Sequence, residues 1–241
     1  MDWEKTAFLR TEMILGAQAM ERLQASHVIV FGLGGVGGYV AEGLARSGVG
    51  KLTLVDHDTI GITNLNRQIG ALHSTLGKQK AEVTAQRVLD INPACQVYPR
   101  VEFYDADSRE RFFGDTTYDY IVDAIDLVSC KLDLIETALA HGIPMISSMG
   151  TGNKLDASGF RVADIAETSG CPLARIVRKE LRKRGIFHHK VVYSPELPMP
   201  TEQKEAPPPG RRSVPASVAW VPACAGLMIA GAVITDLCEM G

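Results

Sequence analysis

"HVIVFGLGGVGGYVAEGLARSG", His27 to Gly48, decides the fold. A short, continuously apolar run, Val28–Phe31, meets Gly32-x-Gly34-x-x-Gly37, and a helical pattern, Gly35–Ser47, follows. Strand, glycine turn and helix in that order form the phosphate-binding corner of a Rossmann unit. A second strand, Lys51–Val55, then ends at Asp56, nineteen residues after Gly37 and at the distance expected of a ribose-binding acid. A tight turn without a ligand would show the glycines, but would have no use for that acid.

Outward from this corner the periods keep alternating. Helices are predicted over Gly77–Asn92 and Ser129–His141, and strands over Gln96–Val101, Tyr120–Ala124 and Pro144–Met149. Short apolar strands separated by helices predict an α/β, Rossmann-like fold, a mostly parallel sheet with helices on both faces. "TGNKLDASGFRVADI" reads as a turn into one more strand. "CPLARIVRKELRKRG" reads as a helix with Pro172 in its first turn and Gly185 just past its end.

Six of the twelve prolines fall between Pro195 and Pro209, which predicts a long exposed loop over about 195–210. Both sides of that loop return to one unit, so residues 1–241 are expected to form a single domain. No charge occurs between Ser213 and Thr235, but Pro215 and Pro222 break the run, leaving Ala223–Ile234 as its continuous apolar piece. That length predicts a buried core helix, and no membrane association is expected. The first thirteen residues carry no apolar core of signal type. Five scattered cysteines without a C-x-x-C pair argue against disulfides and a zinc clamp. A reduced, cytoplasmic protein is expected. The net charge of −3 gives no global attraction to nucleic acid, so any such contact needs a local patch, and no DNA partner is expected.

"VDHDTIGITNLNRQ", Val55 to Gln68, carries more polar groups than a dinucleotide requires. Glycine amides and a helix end can hold a pyrophosphate, whereas a reacting triphosphate needs cations nearby. Arg67 lies one short turn past the acid, and Lys80 follows in a helix. Lys78 and Lys80, two apart on that helix, would point in different directions, so only one can face the site. Asp126, after the strand of "DYIVDAID", falls on the carboxyl edge of the sheet, where a carboxylate can hold a magnesium ion. Taken singly each is an ordinary surface charge; together on one edge they suggest phosphate chemistry.

Residues 32–68, with "LGKQKAEV" and "DAID", resemble the ubiquitin-activating-enzyme-like superfamily of adenylyltransferases, which activate a carboxylate with ATP. The spacing Asp56-x-Asp58-x(5)-Asn64-x-x-Arg67 is the most specific part of the likeness. The resemblance implies that Gly32, Gly34, Gly35 and Gly37 with Asp56 and Asp58 bind the nucleotide. Thr63, Asn64, Leu65, Asn66, Arg67 and Lys80 would grip the phosphates, and Asp126, with Leu127 beside it, would handle Mg2+. It also implies a homodimer in which Arg10 reaches the partner protomer's triphosphate.

The cysteine pattern departs from the sulfur-carrier-activating branch. Cys171, at a helix start, is either a nucleophile or a small packing residue. "RTEMILG", "SSMGTGNKLD", "VVYSPELP" and "SVAWVPACAGLMIAG" resemble instead the tRNA threonylcarbamoyladenosine dehydratases, over nearly the whole chain. That likeness implies ATP-dependent ring closure on a tRNA adenosine, and leaves open a monovalent cation in the "SSMGTGN" turn and a sulfur-relay partner. A basic helix suits tRNA: Arg175, Arg178, Lys179, Arg182, Lys183 and Arg184 would face out above a core face of Leu173, Val177 and Leu181. The same cations could merely complement the helix C-terminus. "PPPGRR", with Arg211 and Arg212, is the second basic candidate. His188 and His189 read as surface residues. The alternatives are an adenylyltransferase for a carrier protein's C-terminus, a nicotinamide-dependent dehydrogenase, and a non-catalytic nucleotide-binding scaffold.

Overall fold

In strand β1, His27–Phe31, the last four residues are fully buried, because the strand is covered on both faces. Val28 and Val30 enter one core layer, and Ile29 and Phe31 enter the other. β1 pairs in parallel with β2, Lys51–Val55, on one side and with β4, Tyr120–Asp123, on the other. The computed structural model describes residues 7–204 and 214–240. Its sheet runs β3-β2-β1-β4-β5-β7-β6, where β3 is Gln96–Arg100, β5 Met145–Ser148, β6 Arg161–Asp164 and β7 Lys190–Tyr193. Only the β6–β7 pair is antiparallel. The chain leaves β1 toward β2 and later returns on its other side as β4, so a crevice opens at the carboxyl ends of β1 and β4.

Helices cover both faces. One layer holds α2, Ala17–Ala25; α3, Gly37–Arg46; α4, Lys80–Ile91; and α8, Trp220–Leu237. The other holds the short α5, Glu110–Phe113; α6, Val128–His141; and α7, Pro172–Lys183. α1, Leu9–Leu15, buries no residue of its own. The expected α/β architecture is therefore present.

Several local expectations need correction. α8 is longer than Ala223–Ile234, because Pro222 sits in its first turn, where a missing N–H breaks no helical hydrogen bond. By length and composition α8 could cross a membrane, but Val221, Ala225, Ile229, Ala230 and Val233 are buried in the core layer beneath the sheet. A Cβ on Gly43 would lie 2.6 Å from the Ala230 Cβ, so α3 and α8 meet at a glycine-to-alanine contact. β7 lies outside the predicted strands: it starts at Lys190, directly after two histidines, and only Val191, Val192 and Tyr193 are apolar. Apolar continuity also fails at the sheet edge. β3 contains Pro99 and leaves three of its five residues exposed, as an edge strand tolerates. Residues 195–204 form neither helix nor strand. The rest of the proline-rich stretch, with Arg211 and Arg212, lies outside the described residues.

Candidate active site

The crevice at the carboxyl ends of β1 and β4 is a cavity of about 620 Å3. Its floor is the glycine turn. Gly32 sits at φ +84°, and a Cβ there would lie 2.8 Å from the Ala124 carbonyl oxygen, so only glycine fits. Gly34 and Gly35 line the cavity, and the N-terminus of α3 follows. Gly37 does not line it. A Cβ there would overlap the Gly32 oxygen, so Gly37 lets α3 approach the turn rather than touching a ligand.

Asp56 directly follows β2 and is buried. Its Oδ2 accepts from the Leu33 N–H at 2.7 Å, and its Oδ1 accepts from the Asp58 N–H at 2.9 Å. The carboxylate therefore ties the glycine turn to the segment after β2, and its oxygens keep further lone pairs toward the cavity. Lys80 is the first residue of α4, and its ammonium lies 2.7 Å from Asp58 Oδ2. The predicted helix from Gly77 thus begins three residues later. Lys78 precedes it and is exposed, so the choice of Lys80 rests on its place at the helix start rather than on helical phase.

Arg67 donates at 3.0 Å to both the Thr63 carbonyl oxygen and Asn66 Oδ1. Both acceptors are neutral, and burial pulls the Arg67 pKa below the ordinary arginine value. A half-buried guanidinium held by neutral oxygens is a ready anion site. Asn64 Oδ1 accepts from the Gly61 N–H at 3.0 Å and fixes the turn that delivers Arg67. Of the 63–67 group, only Asn64 and Arg67 line the cavity; Thr63 and Asn66 hold Arg67, and Leu65 takes no part in the wall. Asp126 and Leu127 line the rim after β4. Arg10, exposed on α1, does not reach this chain's own cavity.

Sequence reasoning missed one wall. Glu102, Phe103 and Tyr104 follow β3 and face the cavity, with Phe103 packed edge-on against His57 at 4.9 Å. Thr151 and Ser217 line it as well, and Asn66 Nδ2 donates to the Ser217 carbonyl oxygen at 3.0 Å. Only folding brings these segments together. A buried ion pair behind the rim, Asp123 with Lys131, was also missed, since neither residue carries a motif.

Two further readings change. Arg178 does not face out: its guanidinium donates to the Thr168 carbonyl oxygen at 2.7 Å and to the Thr168 hydroxyl. Leu173 packs partly buried against the core as expected, and Ala174 joins Val177 and Leu181 as fully buried residues of α7. His189 is half-buried rather than an exposed surface residue. Its Nε2 lies 2.8 Å from Ser147 Oγ, and burial pulls its pKa down to about 4. Cys171 is buried at the start of α7 and lines no part of the cavity.

The profile of the ThiF family matches residues 8–240. A tRNA threonylcarbamoyladenosine dehydratase of Bacillus subtilis is 43% identical over 239 residues, covering 95% of this chain and 94% of the relative. The Escherichia coli enzyme of that name is 39% identical over 172 residues, covering 71% of this chain and 64% of its own. Among solved structures, the E. coli tRNA N6-threonylcarbamoyladenosine dehydratase with AMP superposes with a TM-score of 0.90 at 31% identity. That match covers 100% of this chain and 97% of the other. The same enzyme with ATP gives a TM-score of 0.88, with equal identity and coverage.

Proposed function

This chain belongs to the ThiF family, and on that premise we propose that it is an ATP-dependent tRNA threonylcarbamoyladenosine dehydratase. One observation carries the reading. At the sheet's switch point, the folded chain gathers a glycine turn, a ribose-reach acid, Arg67, a Lys80–Asp58 pair and Asp126 around one cavity.

The threonylcarbamoyl carboxylate attacks the α-phosphorus of ATP, an O–P bond forms, and pyrophosphate leaves. Arg67 and the amides of the glycine turn stabilise the charge that builds on the phosphate oxygens. Lys80 is held in place by Asp58 and serves the same purpose. A nitrogen of the same modified base then attacks the acyl carbon and loses its proton, and AMP departs. The tRNA has thereby lost the elements of water. Because nucleophile and acyl group share one base, proximity supplies what a catalytic cysteine would otherwise provide. Cys171, buried outside the cavity, fits that economy.

Carboxylate oxygens at Asp126 and Asp58 suit Mg2+, a hard cation that takes oxygen ligands. When bound, it would neutralise phosphate charge. The tRNA surface in this reading is the outer face of α7. Arg175, Lys179 and Arg182 are exposed at spacings of four and three and share one helical face. Lys183 pairs with Glu180, and Arg184 with Glu136 and Glu180, so these two contribute less. α7 starts beside the cavity: a Cβ on Gly150 would lie 3.5 Å from Cys171 Sγ, and the adjacent Thr151 lines the wall. The working unit in this reading is a homodimer, with Arg10 serving the partner's cavity.

Mass spectrometry of nucleosides from threonylcarbamoyl-modified tRNA incubated with protein, ATP and Mg2+ tests this reading. The cyclic nucleoside, lighter by one water, is expected. Pyrophosphate release with a carrier protein ending in Gly-Gly, and none with tRNA, would establish the carrier-activating alternative instead.

A further inference from the structure

Behind the rim lies an ion pair sealed from solvent. Lys131 Nζ is 2.5 Å from Asp123 Oδ2, and both side chains are 0% exposed. Burying two charges costs several kcal/mol per ion before pairing offsets it, and an apolar pair of similar volume is often as stable or more so. Stability alone therefore gives little reason for the pair. Its remaining contacts give a better one.

Asp123 Oδ1 accepts from the Ile125 N–H at 3.0 Å, inside the loop that lines the cavity with Ala124, Ile125, Asp126 and Leu127. Lys131 Nζ also donates to the Ser148 carbonyl oxygen at 3.0 Å, at the end of β5. Three residues later Thr151 reaches the cavity wall. Lys131 itself stands in the first turn of α6, the helix that the Asp126 loop enters. One ammonium thus joins the ends of β4 and β5 and the start of α6. The same loop bears on the floor, since the Ala124 carbonyl oxygen occupies the space that a Cβ on Gly32 would need.

We propose that Asp123 and Lys131 are positioning residues for the adenylation step, setting the reach of the Asp126 loop and its distance from the Thr151 segment. This rests on the dehydratase reading above. Neither residue lines the cavity; they act through the loops they hold. Nucleotide binding in the ground state depends mainly on the glycine turn, Asp56 and Arg67, which the pair does not contact. Its removal should therefore fall on kcat rather than on the ATP KM.

The test compares wild type with Asp123→Leu/Lys131→Met, which removes both charges together, by thermal unfolding and by tRNA-dependent pyrophosphate release. The double variant is expected to fold with a Tm near wild type. Its kcat should fall on the order of 10- to 100-fold, as a misplacement near 1 Å costs, with the ATP KM within about twofold. A folded double variant with wild-type kcat overturns the proposal, as does a loss confined to Tm. Should the double variant fail to fold, Lys131→Arg decides, since it keeps the charge but replaces a compact tetrahedral ammonium with a planar, bulkier fork that shifts the two oxygens relative to each other. A severalfold lower kcat at unchanged Tm supports positioning, and wild-type kcat overturns it. Wild-type protein that releases no pyrophosphate with tRNA would refute the dehydratase reading instead, so the two failures are distinct.

Discussion

Lys80 and Asp126 both line one cavity, and the chain treats them differently. Lys80 is buried against Asp58, whereas Asp126 is exposed on a loop after β4. Removing the Asp126 carboxylate should therefore leave packing intact. Asp126→Ala is expected to remain folded, with a cooperative unfolding transition like that of wild type, since no buried side chain is removed. If Asp126 holds the Mg2+ proposed above, pyrophosphate release should drop by at least about a hundredfold, because the cation that would offset phosphate charge loses its carboxylate. Parallel thermal unfolding and pyrophosphate assays check both halves. His189 offers a second prediction at this scale. Its folded-state pKa of about 4 lies below the ordinary histidine value, chiefly because its ring is buried. Between about pH 6.5 and 4 the unfolded chain binds a proton that the folded protein refuses. The contribution is full above the higher value and is lost as pH falls through the lower one, to a total of about 3 kcal/mol. His189→Asn should unfold with a shallower loss of stability across that window, as measured by urea titration at pH 7 and pH 4.5. Equal losses in both proteins would remove His189 as the cause.

At the scale of elements, α7 separates two kinds of basic residue. Arg175, Lys179 and Arg182 point to solvent, and their joint replacement by Ala should weaken tRNA binding. The salt slope should fall by roughly 0.7–0.9 for each phosphate that is no longer neutralised, with ATP affinity unchanged. Filter binding at several salt concentrations measures it, and an unchanged slope would make α7 an ordinary solvated face. Arg178→Ala should instead cost about 1–3 kcal/mol of stability, because the Thr168 carbonyl oxygen loses its donor. The sequence offered no means of separating these two roles. Helical phase marks Val177 and Leu181 as buried, but Arg178 is drawn in by Thr168, a partner ten residues away across a turn. The strands show the same division. Val28–Phe31 and Lys51–Val55 were legible because strands covered on both faces read as apolar runs, whereas β7 begins with a lysine after two histidines and gains its place only between β5 and β6. In the cavity, Asp56, Arg67 and Lys80 were legible from spacing within one contiguous stretch. Glu102, Phe103, Thr151 and Ser217 arrive from separate crossovers, and nothing local marks them.

At the scale of the whole molecule, α1 is held to its own core by one partly buried apolar residue, Leu15 at its last position. It buries none of its residues, and Met13 and Ile14 are 78% and 81% exposed, with Leu9 exposed beside them. Seven residues are too few for a helix to persist on local propensity alone, and among the described residues none covers the face of Leu9, Met13 and Ile14, which makes it a candidate for packing by a second copy. A second copy would supply that packing, and it would bring Arg10, on the same helix, to a cavity it cannot reach at home. The consequence can be measured by complementation. Arg10→Ala and Lys80→Ala homodimers should each be inactive, the first lacking the donated guanidinium and the second lacking the resident ammonium. In a mixed dimer, both lesions fall on one cavity: the Lys80→Ala protomer holds the defective cavity, and the arginine missing from its partner is the one that would have served it. The other cavity keeps its own Lys80 and receives Arg10 from the Lys80→Ala protomer, so it is whole. Random exchange at equal amounts makes half of the dimers mixed, each with one good cavity in two, so about a quarter of wild-type activity should return. Pyrophosphate release after subunit exchange verified by native mass spectrometry reads this directly. No recovery in verified mixed dimers would place the function of Arg10 within its own chain, and the exposed face of α1 would then need another partner.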